Sequence, residues 1–89
     1  MAHEQLERAS EELYAAAAAA AANSKERERL EGQADQFATL ADRGTDHGRL
    51  ARHENALREI KAGADDDVSE RIEAAMDAIT AYRETLEGV

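Results

Sequence analysis

The sequence lacks cysteine and proline, and both absences narrow its chemistry and architecture. Without cysteine there is no disulfide framework, zinc–thiolate site or thiol nucleophile. Without proline, a helix can run on with no internal break. The longest apolar run, residues 15–22, is eight alanines, far short of the roughly 20 residues that span a bilayer. Because the start of the chain is also polar, with no signal-peptide core, we expect a cytoplasmic protein without membrane association.

Large apolar residues are also scarce. The 89 residues include 21 alanines but only 17 Leu, Ile, Val, Met, Phe and Tyr residues, and the formal net charge is −9. This composition borders on that of disordered chains. The large apolar residues nevertheless recur at helical spacing, and alanine, glutamate and arginine favour helices. We therefore expect one folded helical domain over residues 1–89, with a thin core and marginal stability.

The apolar spacing predicts four helices, at about residues 2–22, 24–42, 46–62 and 67–86. No segment alternates as a strand does, so the expected fold is all-α, a small antiparallel bundle of four helices. Gly44 and Gly63 are expected to end helices. The next helices are expected to be capped by Thr45 or Asp46, and by Asp67 in a capping box with Glu70. The alanine run indicates either close approach of helix backbones or a solvated low-complexity stretch.

The pair Asn23-Ser24 leaves the number of helices open. Both residue types are good N-caps, and Asn23 with Glu26 resembles a capping box, which favours a break. Against a break, the apolar spacing continues in phase through this point. A single helix over residues 3–42 would be about 60 Å long and would leave three helices in total. We favour the break, because a compact small domain requires the chain to turn back.

The charged residues indicate a salty environment. The chain has 20 acidic and 11 basic residues, and nine of the basic residues are arginines. High acidity with small core residues is typical of proteins from salt-accumulating archaea, because molar salt screens the repulsion between surface carboxylates within about 3 Å. An ordinary acidic protein encoded by a GC-rich genome is the alternative.

Three segments resemble a family of small haloarchaeal proteins of unknown function. They are residues 46–53 (DHGRLARH), 35–41 (DQFATLA) and 82–89 (YRETLEGV). The similarity spans most of residues 30–89, whereas the first 25 residues are too rich in alanine to compare. The resemblance implies a halophilic cytoplasmic setting. It implies no catalytic or binding residues, because the family's function is unknown.

One segment carries the candidate binding residues. Residues 42–58 contain four arginines and three acidic residues, a net charge of +1, so the remainder of the chain carries −10. The glycines of this turn lead into a helix N-terminus, which favours anions. The candidates for binding an anion or a partner are Arg43, His47, Arg49, Arg52, His53 and Arg58. We favour the other interpretation, in which the arginines pair with glutamates of neighbouring helices, because charged helix faces usually serve solvation and packing.

The two histidines of this segment have separate interpretations. His47 and His53 are six residues apart, which does not place them on one helix face as a pair of metal ligands. We expect no metal site and no cofactor. His53 lies on an apolar stripe and is expected to be half-buried and hydrogen-bonded to a carbonyl or carboxylate. His47 is expected to be a turn or capping residue.

No motif indicates catalysis, because no nucleophile–base pair, phosphate-binding glycine loop or Glu-x-x-His pair is visible. The predicted function is therefore protein–protein association by a non-enzymatic helical bundle, as a homodimer or with one partner. The motivation is the thin core, since association buries more apolar surface. The alternative is a small regulator that binds an anionic ligand or nucleic acid through segment 43–58. Nucleic acid is the weaker candidate, because it requires a larger basic footprint.

Overall fold

Helices account for most of the chain. A computed structural model describes residues 3–86. Its helices are α1 (Glu4–Ala19), α2 (Lys25–Arg43), α3 (His47–Ala62) and α4 (Asp66–Arg83). Within the described residues there is no strand. The all-α fold with four helices is thus confirmed, although α1 ends three residues earlier than predicted, and α4 likewise.

The break between α1 and α2 confirms four helices, so the three-helix alternative is wrong. Asn23 has φ of 62°, a left-handed conformation that asparagine tolerates better than most residues. Ser24, and not Asn23, is the N-cap of α2: its hydroxyl accepts a hydrogen bond from the backbone N–H of Arg27 at 3.1 Å. Asn23 therefore turns the chain, and Ser24 caps the start of α2.

The remaining helix ends agree with the prediction in part. Asp46 caps α3, because its carboxylate accepts the backbone N–H of Arg49 at 2.8 Å. Gly44 ends α2 with φ of 77°, where a side chain would be strained. The predicted capping box of Asp67 and Glu70 is wrong. Asp65 is the N-cap of α4 and makes no side-chain capping bond, so the acidic residues there act only through the helix dipole.

The core is small and built on alanine as well as on large residues. Its largest fully buried side chain is Phe37, and four alanines of α1 or its C-cap are buried: Ala9, Ala16, Ala17 and Ala20. Along much of α1 the Cα atoms come within 8 Å of those of α2 and α4, whereas α3 approaches its neighbours this closely at few points. Small side chains allow close backbone approach, so the alanine run serves packing on its inner side.

The described residues pack to a Cα radius of gyration of 12.3 Å, which is close to the roughly 12 Å expected for a compact chain of this length. No helix within residues 3–86 is long and apolar enough to cross a membrane.

Candidate functional site

The seam between α2 and α3 holds most of the candidate site. The Oε1 atom of Gln33 lies 2.7 Å from Nδ1 of His53, and the ring of Phe37 lies 4.9 Å from the same imidazole, centroid to centroid. Further along, the guanidinium of Arg29 lies 3.5 Å from the carboxylate of Glu59. These contacts show which sides of the two helices face each other, and they set the positions of the neighbouring charges.

Three residues of α2 form a row beside this seam. Arg29, Gln36 and Arg43 are seven residues apart, which is two helical turns, so they share one side of the helix. Lys25 lies one turn before Arg29 in the same row. All four side chains are exposed, and the contact of Arg29 with Glu59 places the row next to α3.

On α3 a second basic row runs beside the seam. Arg49 lies one turn before His53, and Arg52 lies one turn after Arg49. Both arginines are exposed. Arg49 is 4.0 Å from Asp46 in the cap of its own helix, and Arg52 forms no ion pair with any residue in 3–86.

We call this surface the basic face. It consists of Lys25, Arg29, Arg43, Arg49 and Arg52, with the carboxylates of Asp46 and Glu59. Five positive and two negative charges leave a net charge of +3, and because the whole chain carries −9, the remainder carries −12. The difference in net charge between the basic face and the remainder of the chain is therefore larger than the difference between segment 42–58 and its remainder, which was +1 against −10.

His47 and Arg58 do not belong to the basic face. Arg58 borders a surface depression with Glu73 and Asp77 of α4, and His47 contacts Arg83 of α4. The structure thus separates the six predicted residues: four lie along the α2–α3 side and two face α4. His47 is the first residue of α3 and not its cap.

A polar cluster that the sequence analysis missed links α3 to α4. Glu54 is only 7% exposed, and Arg83 donates a hydrogen bond to its carboxylate. The Nε atom of Arg83 also donates to Nδ1 of His47 at 3.0 Å. Glu54 lies one turn after Leu50 and one turn before Leu57, which places a charged residue on the apolar stripe of α3. That placement is the sequence signal from which a partner for Glu54 could have been expected.

The end of α4 also holds the turn between α2 and α3. The hydroxyl of Tyr82 accepts the backbone N–H of Thr45 at 3.1 Å, and the imidazole of His3 lies edge-on to the Tyr82 ring at 5.5 Å. Buried Nε2 of His47 and Oγ1 of Thr45 have no hydrogen-bond partner among the described residues. These contacts join four helix ends, the start of α1, the end of α2, the start of α3 and the end of α4. In the adjoining polar cluster, Glu54 and Arg83 are already engaged with each other.

His53 has the environment expected from its place on the stripe. It is half-buried, and its partner is the amide carbonyl of Gln33. Burial lowers the pKa of His53, because removal from water disfavours the charged imidazolium. The neutral form therefore prevails at neutral pH, and His53 adds no charge to the basic face.

The expected pairing with glutamates of neighbouring helices is not found for any of the four candidate arginines within residues 3–86, because the one ion pair among them joins Arg49 to Asp46 in the cap of its own helix. Within residues 3–86, Arg43, Arg52 and Arg58 make no ion pair. The pairs between helices use other cations: Arg29 with Glu59, Lys61 with Glu73, Arg71 with Glu12, and Arg83 with Glu54. In the same range no three His, Asp or Glu side chains are grouped as metal ligands would be.

Comparison with known proteins places the chain in a family. A family model described as a family of unknown function (DUF7553) matches residues 1–85. The chain belongs to this family. The match covers all but the last of the residues that the structure describes, and it confirms the resemblance to a family without a known function. No curated protein and no solved structure matched the chain.

Proposed function

We propose that this protein acts through protein–protein association and not as an enzyme, with the basic face as its contact surface. The observation that carries the proposal is the exposed arginines of that face, of which Arg43 and Arg52 have no ion-pair partner within residues 3–86. On a chain with 20 acidic residues, cations that no internal carboxylate engages are available to a partner. Arginine is also enriched at interfaces, because its planar head binds carboxylates at two points.

The partner we propose is an acidic protein surface, in a homodimer or in a complex with one other protein. Complementary charge steers association and excludes like-charged surfaces. The polar cluster of Glu54, Arg83 and His47 joins α3 to α4.

We also propose that the helices form an antiparallel bundle. The supporting observation is the order of the contacts, because residue numbers rise along one helix and fall along the next. The pairs are His3 with Ala41 and Ser10 with Ala34; Arg29 with Glu59 and Gln33 with His53; Glu54 with Arg83 and Lys61 with Glu73; and His3 with Tyr82 and Glu12 with Arg71.

A charge-reversal experiment tests the proposed contact surface. We expect the protein to bind poly-L-glutamate, a probe for an acidic polypeptide, and Arg49→Glu with Arg52→Glu to weaken that binding at least about tenfold, because each reversal replaces an attraction with a repulsion. Fluorescence anisotropy of labelled protein measures the change. The matched control is Arg8→Glu with Arg58→Glu, two exposed arginines outside the basic face, which should bind nearly as the unmodified protein does.

The same experiment contains the outcome that would contradict the proposal. Equal binding by the two double variants would mean that net charge, and not the basic face, determines affinity. The second candidate function is binding of nucleic acid or another anionic ligand, favoured by the position of Arg49 in the first turn of α3. Binding to a short DNA duplex that is tighter than binding to poly-L-glutamate, and lost with Arg49 and Arg52, would favour that alternative.

The setting we propose is the cytoplasm of a cell with high internal salt. Helical circular dichroism is expected to rise between dilute buffer and about 2 M KCl, because salt screens the repulsion among the carboxylates. Glu70→Lys with Asp77→Lys changes the net charge from −9 to −5, so this variant should reach full helicity at lower salt. Full helicity of the unmodified protein in dilute buffer would contradict the proposed setting.

A further inference from the structure

One acidic part of the surface lies between α1 and α4. A groove of about 800 Å³ runs between these helices, and alanines line half of it. Its remaining lining is charged: Glu12, Asp67, Glu70 and Arg71. Arg71 is already held by Glu12 at 3.4 Å, whereas Asp67 and Glu70 make no ion pair within residues 3–86.

The acidic surface extends along α4 beyond this groove. Asp77 lies seven residues after Glu70, hence on the same side of the helix, and it borders a second depression that adjoins α1. It is exposed, and it too makes no ion pair in the described range. We call the surface of Asp67, Glu70 and Asp77, together with the alanine-lined groove, the acidic face.

The two faces lie on different helix pairs of one molecule. The basic face uses α2 and α3, and the acidic face uses α4 and its border with α1. Each presents charges that no residue in 3–86 neutralises, and the charges have opposite sign. A second copy of this chain therefore offers the acidic surface that the basic face requires.

We infer that the partner of the basic face is a second copy of this chain, docked through its acidic face. This inference rests on the proposed function, since it names the partner for the same surface. In such a contact Arg49 and Arg52 of one copy lie against Glu70 and Asp77 of the next. The alanine floor lets the two backbones approach, so that arginine side chains reach the carboxylates at the groove's rim.

The size of the molecule fits an interface of this kind. Its extents of 39, 22 and 16 Å give the long sides areas of about 600 to 900 Å², and an ordinary protein interface buries about 800 Å² on each partner. The contact is rich in ion pairs and poor in large apolar residues, so we expect weak association that falls as salt rises. At the molar salt of the proposed setting, screening acts beyond about 3 Å, so the association there depends on the ion pairs in direct contact.

The geometry also determines how the association grows. Because different surfaces meet, the contact is head-to-tail, and the assembly keeps a free basic face at one end and a free acidic face at the other. Contacts of this type continue into open chains unless the rotation closes a ring. The mass should therefore increase with concentration beyond that of a dimer.

Mixing two complementary variants tests the inference. The first, Arg49→Glu with Arg52→Glu, reverses two of the five cations of the basic face, and the second, Glu70→Lys with Asp77→Lys, reverses two of the three named carboxylates of the acidic face. Static light scattering at the lowest KCl concentration that gives full helicity is expected to find each variant monomeric under conditions where the unmodified protein associates. In an equal mixture the two intact faces meet once, so the mass should stop at that of a dimer.

In the control, the first variant is mixed with the double variant Arg8→Glu with Arg58→Glu, which carries no other substitution. That control keeps every residue of both faces. Because Arg8 and Arg58 border depressions that also contain Asp77, their reversal adds negative charge beside the acidic face, so the control alone should associate at least as strongly as the unmodified protein. The first variant should stop its growth at one end only. Circular dichroism of every variant verifies that loss of association is not loss of folding.

Two results would overturn the inference. An unmodified protein that forms a dimer and grows no further would indicate a two-fold contact between identical surfaces. An unmodified protein that stays monomeric to about 100 µM, a concentration generous for weak complexes, would remove self-association. If that monomer still binds poly-L-glutamate through Arg49 and Arg52, the proposed function stands with another partner. If the unmodified protein binds neither a second copy of itself nor poly-L-glutamate, the proposed function fails as well.

Discussion

Replacing Arg83 with leucine is expected to lower the free energy of unfolding by about 2–4 kcal/mol, because it leaves a buried carboxylate without its partner. Glu54 is 7% exposed, and Arg83 supplies its hydrogen bond. The same substitution removes the donor to Nδ1 of His47. Urea titration followed by circular dichroism measures the loss.

Two further variants separate the buried charge from the lost contact. The double substitution Glu54→Leu with Arg83→Leu is expected to recover most of the stability, since a buried ion pair is often replaced by apolar residues at little cost. Arg71→Leu is the matched control, because Arg71 is exposed where it contacts the half-buried Glu12 and the pair should contribute less than about 1 kcal/mol. A double variant as unstable as Arg83→Leu alone would contradict this account.

Replacing Phe37 with alanine is expected to cost about 3–5 kcal/mol, through lost burial and the cavity left behind. Phe37 is the largest fully buried side chain, and it also packs against the ring of His53. A chain of this length has a total stability of about 4–13 kcal/mol. The variant should therefore be at the edge of unfolding in urea titrations.

Phe37→Leu keeps the prediction measurable if the alanine variant does not fold. It should cost less than the alanine substitution, because leucine fills more of the space. The neighbouring exposed substitution Thr39→Ala is the control and should change the stability by less than about 0.5 kcal/mol. A loss below about 1 kcal/mol for Phe37→Ala would mean that the core does not depend on this ring.

Part of the candidate site was visible in the sequence. Segment 43–58 was recognised by its charge, and His53 by its place on the apolar stripe. Lys25 and Arg29 were missed. Their spacing with Gln36 and Arg43 places them in one row on α2, but nothing in the local sequence indicates which neighbouring helix that row faces. The Glu54–Arg83 pair was missed for a related reason, since its members are 29 residues apart in the chain.

The sequence by itself determined the all-helical fold and most of the helix ends, and it favoured the break at Asn23-Ser24 over a single long helix. Apolar spacing, the Asn23-Ser24 break, Gly44 and the Asp46 cap act over a few residues, so local physics decides them. Only the tertiary structure decided that Arg49 and Arg52 join the α2 row while His47 and Arg58 face α4. The reason is that the rotation of each helix about its axis depends on how all the apolar stripes pack together, and a rotation of about 100°, the angle between consecutive residues of a helix, moves a charge from one face of the molecule to another.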